Sequence, residues 1–360
     1  MLKNSYNKFF PVPRFLAEPS FGLDISDESL KFIELIGTKN GIRVGKYGKR
    51  KIPSGIIEAG KIKKPKLFEE ILSNLKKEEG LISARVSLSE EQIYLFKLRL
   101  EKLGLKSIRE GIELSLEEHV PIQAQDAIFD YELLNEDDQH LEVQVAVIPK
   151  NMVGEYLLVF RNSGILISSL EFEAQALARV VVKKDDLETY MVVDFGEKHT
   201  GISIISRGIV MLTSTLDVGG VMLTNMIQKN FKISFEEAEK MKRKYGLQRN
   251  TINKEMFSVL LNGVSILRDE IAKHFLYWNT HKDDWGKDNP PIKKIILCGG
   301  DSGLIGISEY FSVTLKNPIE IANVWTNIID VEKYVPEISF DESLSFAVAI
   351  GLALGDFKYD

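Results

Sequence analysis

The sequence contains one short pattern twice: an apolar run that ends in an aspartate, a short polar turn, and a second apolar run. The first copy covers residues 21–35 with its acid at Asp24, and the second covers residues 191–205 with its acid at Asp194. Each copy is typical of two antiparallel strands joined by a tight turn. Two such hairpins far apart in one chain indicate a duplicated fold that holds a ligand between its halves.

The chemistry of these turns narrows the class of ligand. A tight turn directs several backbone N–H groups at one point, which suits a phosphate, and a carboxylate beside it suits a hydrated Mg²⁺. One acid before a turn is more often ordinary turn chemistry. Because the pattern occurs twice, we interpret it as a site for a nucleotide polyphosphate.

Composition excludes several other classes of protein. With 360 residues, 44% of them apolar, the chain can fill two lobes or more. The net charge of -6 and the lack of a basic stripe argue against a nucleic-acid partner. A single cysteine, Cys298, excludes a disulfide scaffold and fits a reducing compartment. No apolar run reaches the roughly 18–20 residues that span a bilayer. Residues 1–18 are predicted to form an N-terminal tail.

Hydrophobic periodicity predicts alternating strands and helices along the rest of the chain. The section from about residue 90 to 165 has its own β-α-β-β order, which indicates an inserted subdomain, and the waist between the halves falls near residue 185. Ser234 and Glu237 have the spacing of a helix capping box. The predicted helices cover residues 67–80, 111–119, 151–162, 174–182, 221–230, 256–278 and 345–354.

The two hairpins resemble the phosphate loops of the actin and sugar-kinase superfamily. Residues 112–134, which contain FDY, and residues 143–179, which contain AVIPK and EFEAQALAR, are similar to the PilM family of type IV pilus assembly, and residues 345–354 resemble that family's closing helix. The chain is identified as a member of this family over residues 21–354. The resemblance implies an α/β, actin-like (ribonuclease H-like) duplicated two-lobe fold with an inserted FtsA-type 1C subdomain.

The resemblance also implies a division of the chain. The expected parts are a tail (1–18), subdomain 1A (19–90), the inserted subdomain 1C (91–165), the rest of 1A (166–186), subdomain 2A (187–222), subdomain 2B (223–291), the rest of 2A (292–340) and a closing helix on lobe 1 (341–360).

In the first loop, the resemblance implies that Asp24 faces a metal ion, that Lys31 reaches a phosphate and that Ser29 is a weaker phosphate contact. The family usually has glycine two residues after the acid, where this chain has Ser26. If that position needs a positive φ, serine costs on the order of 1–2 kcal/mol. Such a cost weakens affinity roughly tenfold or more without abolishing it. The Ser26 hydroxyl could instead donate to the phosphate, and we expect slow or absent turnover.

In the second loop, Asp194, Gly196 and Thr200 match the family's acid, turn glycine and hydroxyl residue. Asp24 and Asp194 would flank a Mg²⁺ held mainly through water, because Mg²⁺ keeps part of its hydration shell. The resemblance implies further nucleotide contacts near the ribose and adenine: the glycine pair Gly219 and Gly220, the helix residues Glu239 and Lys242, and the adenosine-loop residues Gly299, Gly300 and Ser302.

Glu173 matches the position that orients the attacking water in this superfamily. As a general base it would lie within about 2.6–3.2 Å of that water. A first-turn acid favoured by the helix dipole explains the same residue equally well.

The implied function is a cytoplasmic ATP-binding scaffold, peripheral at the inner membrane through a partner, in a type IV pilus or related secretion platform. The expected ligands are ATP and Mg²⁺. The expected partners are the N-terminal cytoplasmic segment of a PilN-type membrane protein, bound between subdomains 1A and 1C, and other pilus platform or motor proteins.

Two alternatives stay open. An FtsA-like, filament-forming cell-division protein shares the inserted subdomain, but such proteins carry a membrane-binding amphipathic helix after a linker, and only six residues follow Leu354 in this sequence. A metabolic kinase of the same superfamily needs a carboxylate base in a substrate cleft, and the sequence has no sugar-binding signature. A polymerisation assay distinguishes the filament-forming protein from the scaffold, and an assay of phosphoryl transfer to small acceptors tests the kinase alternative.

Overall fold

The computed structural model describes residues 20–38, 41–101, 105–248, 254–282, 285–328 and 334–357. The predicted tail, residues 1–18, lies outside the described residues. Strands β1–β15 are, in chain order, Ser20–Ile25, Ser29–Thr38, Gly41–Lys51, Ile57–Glu58, Lys61–Ile62, Ser83–Leu88, Tyr94–Glu101, Ala127–Glu136, His140–Pro149, Leu166–Phe172, Thr189–Phe195, Thr200–Ser206, Ile209–Leu216, Ile292–Cys298 and Ile319–Ile321.

The helices agree closely with the predicted periodicity, although the one predicted at 111–119 begins earlier. Short 3-10 helices at Glu90–Gln92 and Ala124–Asp126 complete the described elements. Helices α1–α10 are Pro65–Glu79, Leu105–His119, Lys150–Asn162, Glu173–Val181, Gly220–Phe231, Phe235–Tyr245, Lys254–Thr280, Ile307–Leu315, Phe340–Leu344 and Ala347–Leu354.

Each lobe is built on a mixed five-stranded sheet. The first sheet has the strand order β10-β6-β1-β2-β3 and the second has β13-β12-β11-β14-β15. In the first, β1 pairs antiparallel with β2 and parallel with β6. In the second, β11 pairs antiparallel with β12 and parallel with β14. The two predicted hairpins therefore occupy matching places in two similar sheets, and the predicted duplicated actin-like fold is confirmed.

The closing helix α10 packs against β1 and α4 in the first lobe. A Cβ on Gly22 of β1 would lie 1.8 Å from the carbonyl oxygen of Ala349, and a Cβ on Gly351 would lie 2.0 Å from that of Ala176 in α4. Glycine is required at both positions because backbone approaches backbone. Through these contacts α10 packs directly on the strand that ends in Asp24.

The predicted β-α-β-β pattern is confirmed as a three-stranded sheet, β7-β9-β8, with α2 packed on one face. Helix α3, which also falls in the predicted range 91–165, packs elsewhere: Tyr156 and Phe160 join the core of the first lobe with Phe68. The prediction took the insertion as one block because sequence order does not show which core a helix joins.

Candidate functional site

The two aspartates lie at the ends of β1 and β11 and face the same cleft of about 820 Å³. Lys31 is paired with Asp24 across the first hairpin, and its Nζ lies 3.2 Å from Asp24 Oδ2. Ser87 in the neighbouring strand β6 donates its hydroxyl to Asp24 Oδ1 at 3.1 Å. The strand ladder thus holds the acid and its cation at one sheet edge.

The turns of the two hairpins also meet across the cleft. Lys198 Nζ of the second turn lies 3.7 Å from Glu28 Oε1 of the first. Nearby, Lys49 Nζ of β3 lies 2.8 Å from Glu197 Oε2. These pairs are exposed and contribute little stability, but they show that the two bends face each other.

Most of the predicted site residues line this cleft. Those that do are Asp24, Ser26, Ser29, Lys31, Glu173, Asp194, Gly196, Glu239, Lys242, Gly299 and Gly300. Four predicted residues, Thr200, Gly219, Gly220 and Ser302, are not part of its lining.

Those four residues have structural partners behind the cleft wall. The buried Thr200 hydroxyl donates to the carbonyl of Val218, and the buried Ser302 hydroxyl donates to the carbonyl of Gly299 at 2.6 Å. A Cβ on Gly219 would lie 2.4 Å from the carbonyl carbon of Lys198. In this state of the protein, these residues shape the wall rather than present groups to a ligand.

Carboxylates outnumber cations at the cleft floor. Burial raises the pKa of Asp194 to about 6. Burial, then Asp24, Glu90 and Asp194, raise the pKa of Glu173 well above its ordinary value. Burial lowers the pKa of Lys31, but the neighbouring carboxylates outweigh it and hold the pKa above its usual value. The floor therefore favours an additional cation.

Glu90 was not predicted, although it belongs to this group. It is 8% exposed, and its Oε1 accepts a hydrogen bond of 2.6 Å from the backbone N–H of Ala174, in the first turn of α4. Burial raises its pKa to about 8, with the charge of Asp194 adding to the effect. It follows β6, and the carboxyl ends of parallel neighbours meet at one sheet edge, so its position after a buried strand was the available signal.

Gly196 and Gly299 are glycines mainly because a Cβ at either position would clash with neighbouring atoms. A Cβ on Gly196 would lie 2.8 Å from the carbonyl oxygen of His199. A Cβ on Gly299 would lie 2.4 Å from Asp194 Oδ1, and its φ of +90° also favours glycine. Glycine at 299 leaves room for the Asp194 carboxylate, and glycine at 196 leaves room for the His199 carbonyl.

Ser26 does not carry the expected strain. Among the described residues it is not one of those with positive φ, so the penalty of on the order of 1–2 kcal/mol for a left-handed residue does not apply. Its backbone N–H donates to the carbonyl of Ser29 at 2.9 Å, and its hydroxyl bonds the same residue. The turn closes through serine, with no glycine required.

Glu239 and Lys242, which the resemblance predicts as nucleotide contacts, are bonded to each other in the structure. Lys242 is 1% exposed, and its Nζ lies 2.6 Å from Asp301 Oδ1 and 2.9 Å from Glu239 Oε2. It also donates to the carbonyl of Gly220 at 3.1 Å. This network joins α5, α6 and the loop after β14, so Lys242 fixes this wall of the cleft.

Residues 22–357 match the family described as "Type IV pilus assembly protein PilM". The chain belongs to this family. None of the helices in the described part of the chain is both long and apolar enough to cross a bilayer.

Solved structures of similar fold agree with the two-lobe architecture. A structure described as a PilM-PilN type IV pilus biogenesis complex has a TM-score of 0.75 at 22% identity and covers 95% of this chain and 99% of that one. MreB 5 of Spiroplasma citri bound to AMPPNP has a TM-score of 0.56 at 15% identity and covers 94% of this chain and 96% of that one. At these identities the likeness shows the fold.

A curated relative matches part of the chain. The ethanolamine utilization protein EutJ of Escherichia coli (strain K12) is 26% identical over 153 residues, which are 42% of this chain and 47% of that protein. The match thus spans about half the length of this relative.

Proposed function

We propose that this PilM-family chain binds ATP with Mg²⁺ between its lobes and acts as a cytoplasmic scaffold of a type IV pilus or related inner-membrane platform. The observation that carries the nucleotide site is the pair of acidic bends, one in each lobe, that face one cleft with Lys31 between them. We further propose that the scaffold is held at the membrane by the N-terminal segment of a PilN-type protein.

The donor set suits the proposed ligands. Asp24 and Asp194 offer carboxylate oxygens for a Mg²⁺ that keeps most of its water, and Lys31 offers a charge to a phosphate. Bound Mg²⁺ would supply charge neutralisation for the triphosphate. Burial, with Asp24, Glu90 and Asp194, raises the pKa of Glu173, which disfavours the ionised carboxylate that a general base needs. This supports ATP binding with slow turnover at most.

Isothermal titration with ATP and Mg²⁺ tests the nucleotide site. We expect Asp194→Ala and Asp194→Asn each to lose at least about tenfold in affinity. Asp138→Asn removes an exposed carboxylate in the β8–β9 turn of the inserted subdomain and serves as the matched control. Equal binding by the wild type and both Asp194 variants would show that the site assignment is wrong.

The surface between the inserted sheet and α4 supports the proposed peptide site. One face of β9 packs on α2 through Val143 and Val145, so Gln144 points to the other face, toward the first lobe. Gln144 is 5% exposed, and neither atom of its amide has a hydrogen-bond partner in the described part of the chain. A buried amide without partners is costly unless something else satisfies it.

The flank of this surface is open. Ile128, Asp130 and Glu132 lie on one face of the edge strand β8 and are exposed, and Gln175 of α4 hydrogen-bonds Glu132. An extended peptide has unpaired backbone N–H and C=O groups that match an edge strand and a free amide. We therefore place the PilN-type segment here.

Gln144→Met separates a binding role from a structural one. Methionine keeps the volume and removes two unsatisfied polar atoms, so we expect unchanged or higher thermal stability but weaker binding of a synthetic peptide of the PilN-type N-terminal segment. Unchanged peptide affinity would reject the assignment. The same peptide titration on empty, ADP-loaded and ATP-loaded protein tests coupling between the peptide site and the nucleotide site. Three equal peptide affinities would show that the two sites are not coupled.

A further inference from the structure

A second group of metal-ligating side chains lies at the edge of the cleft. Glu91, His199 and Asp217 each offer one ligand atom, and these atoms all lie within 4.8 Å of one another. Glu91 belongs to the 3-10 helix Glu90–Gln92 that leads from the first lobe into the inserted subdomain, whereas His199 and Asp217 belong to the second lobe. The group therefore spans the two lobes.

The second-lobe pair is placed by the strand ladder. Thr200 of β12 pairs with Leu216 of β13, so His199 and Asp217 are the next opposed positions beyond the end of that ladder. A backbone contact also holds His199, because the Gly196 N–H donates to its carbonyl at 3.1 Å. The two side chains are thus presented together by rigid neighbours.

His199 has a free ring nitrogen directed at this group. Its Nδ1 is buried and has no hydrogen-bond partner among the described residues, although Asp217 Oδ1 lies 3.2 Å away. In the neutral tautomer that carries its proton on Nε2, the Nδ1 nitrogen and the Asp217 carboxylate both present lone pairs and face each other. A cation between them satisfies both lone pairs.

We propose that Glu91, His199 and Asp217 bind a divalent transition-metal ion, with Zn²⁺ as the representative ion, and that this ion joins the two lobes. One imidazole nitrogen and two carboxylate oxygens are a donor set for Zn²⁺ rather than for Mg²⁺, and water completes the coordination. Asp217 is largely exposed, so its carboxylate can rotate to close the site. Because Glu91 comes from the other lobe, the ion stabilises the arrangement in which the two lobes lie against each other at this edge of the cleft.

Titration of chelator-treated protein with Zn²⁺, without nucleotide, tests the site. We expect the wild type to bind Zn²⁺ and His199→Gln and Asp217→Asn each to bind at least about tenfold more weakly. His140→Gln is the matched control, because His140 Nδ1 lies 3.4 Å from Asp137 Oδ1 and the described residues offer this pair no third ligand. Wild-type affinity in both variants overturns the proposal, and thermal melting in EDTA confirms that they fold.

Glu91→Gln tests the bridge between the lobes. We expect weaker Zn²⁺ binding and, in the wild type alone, Zn²⁺-dependent protection from hydrogen exchange in both the 90–92 segment and the 196–200 turn. Wild-type affinity in Glu91→Gln, or protection confined to the 196–200 turn, shows that the ion does not join the lobes. Because no nucleotide is present, this result is independent of the proposed ATP site.

Discussion

Replacing Glu90 by glutamine tests whether the cleft floor is strained by unneutralised acids. Glutamine can still accept the hydrogen bond from the Ala174 N–H, but it cannot ionise. In the wild type the folded pKa of Glu90 is about 8 against an ordinary value of 4.5. The folded protein therefore holds a proton that the unfolded chain has lost between these values, so stability falls as pH rises through this window.

The size of the effect follows from the same two values. Each unit of pKa difference between the folded and unfolded states corresponds to ~1.4 kcal/mol. The interval between 4.5 and about 8 therefore limits the loss of folding stability due to Glu90 to about 5 kcal/mol. Relaxation and water entry around the ionised group reduce this. We expect Glu90→Gln to be more stable than the wild type by about 2–4 kcal/mol at about pH 9, and nearly equal at about pH 4.

Urea unfolding at both pH values measures the difference. With a slope of about 3 kcal/mol/M, the expected shift of the midpoint is about 1 M at the higher pH. Glu91→Gln changes the adjacent, exposed residue of the same short helix and is the control. Zn²⁺ is excluded with EDTA. A stability difference that is the same at both pH values, or a less stable Glu90→Gln at the higher pH, refutes the electrostatic account.

Three further predictions concern packing and burial. Gly22→Ala should destabilise the fold by at least about 2 kcal/mol, since its Cβ would lie 1.8 Å from a backbone oxygen. Gly154→Ala in α3, which has open space around it, should stabilise the fold by up to about 1 kcal/mol in thermal melts. Lys242→Met should lower the free energy of unfolding by about 3–5 kcal/mol because it leaves Asp301 buried and unpaired, and adding Asp301→Asn should restore part of the loss. Burial raises the pKa of the Cys298 thiol, so it should react with a thiol reagent such as DTNB only after unfolding, and rapid reaction of the native protein would contradict the structure.

The sequence predicted the two acidic hairpins because each depends only on local alternation and turn chemistry. The resemblance named Lys31 only as a phosphate contact, and the hairpin register seen in the structure is what pairs it with Asp24. The same argument did not find Glu90 or the environment of Lys242. Both depend on which strands become neighbours and which helix covers them, and a one-dimensional pattern of Glu and Lys is equally consistent with a solvated helix surface.

Ser26 shows the limit of transferring a family pattern by position. The expected glycine would matter only if that turn needed a left-handed residue, and a serine whose N–H and hydroxyl both bond Ser29 closes the turn without one. In the second turn Gly196 is needed, because a Cβ would meet the His199 carbonyl. Two turns with similar sequences thus close in different ways, the first through a serine and the second through a glycine.

The charge balance of the cleft constrains how a nucleotide could bind there. Asp24, Asp194 and Glu173 raise the pKa of Lys31, and Glu90 adds a fourth carboxyl close enough to act on Glu173. A triphosphate alone would therefore add like charge to an acidic floor. A bound divalent cation would change the sign of this interaction, because Asp24 and Asp194 would hold its charge next to the phosphates. Nucleotide and cation binding at this site should therefore be strongly coupled, and ATP with EDTA should bind far more weakly than ATP with Mg²⁺ in the titration that tests Asp194.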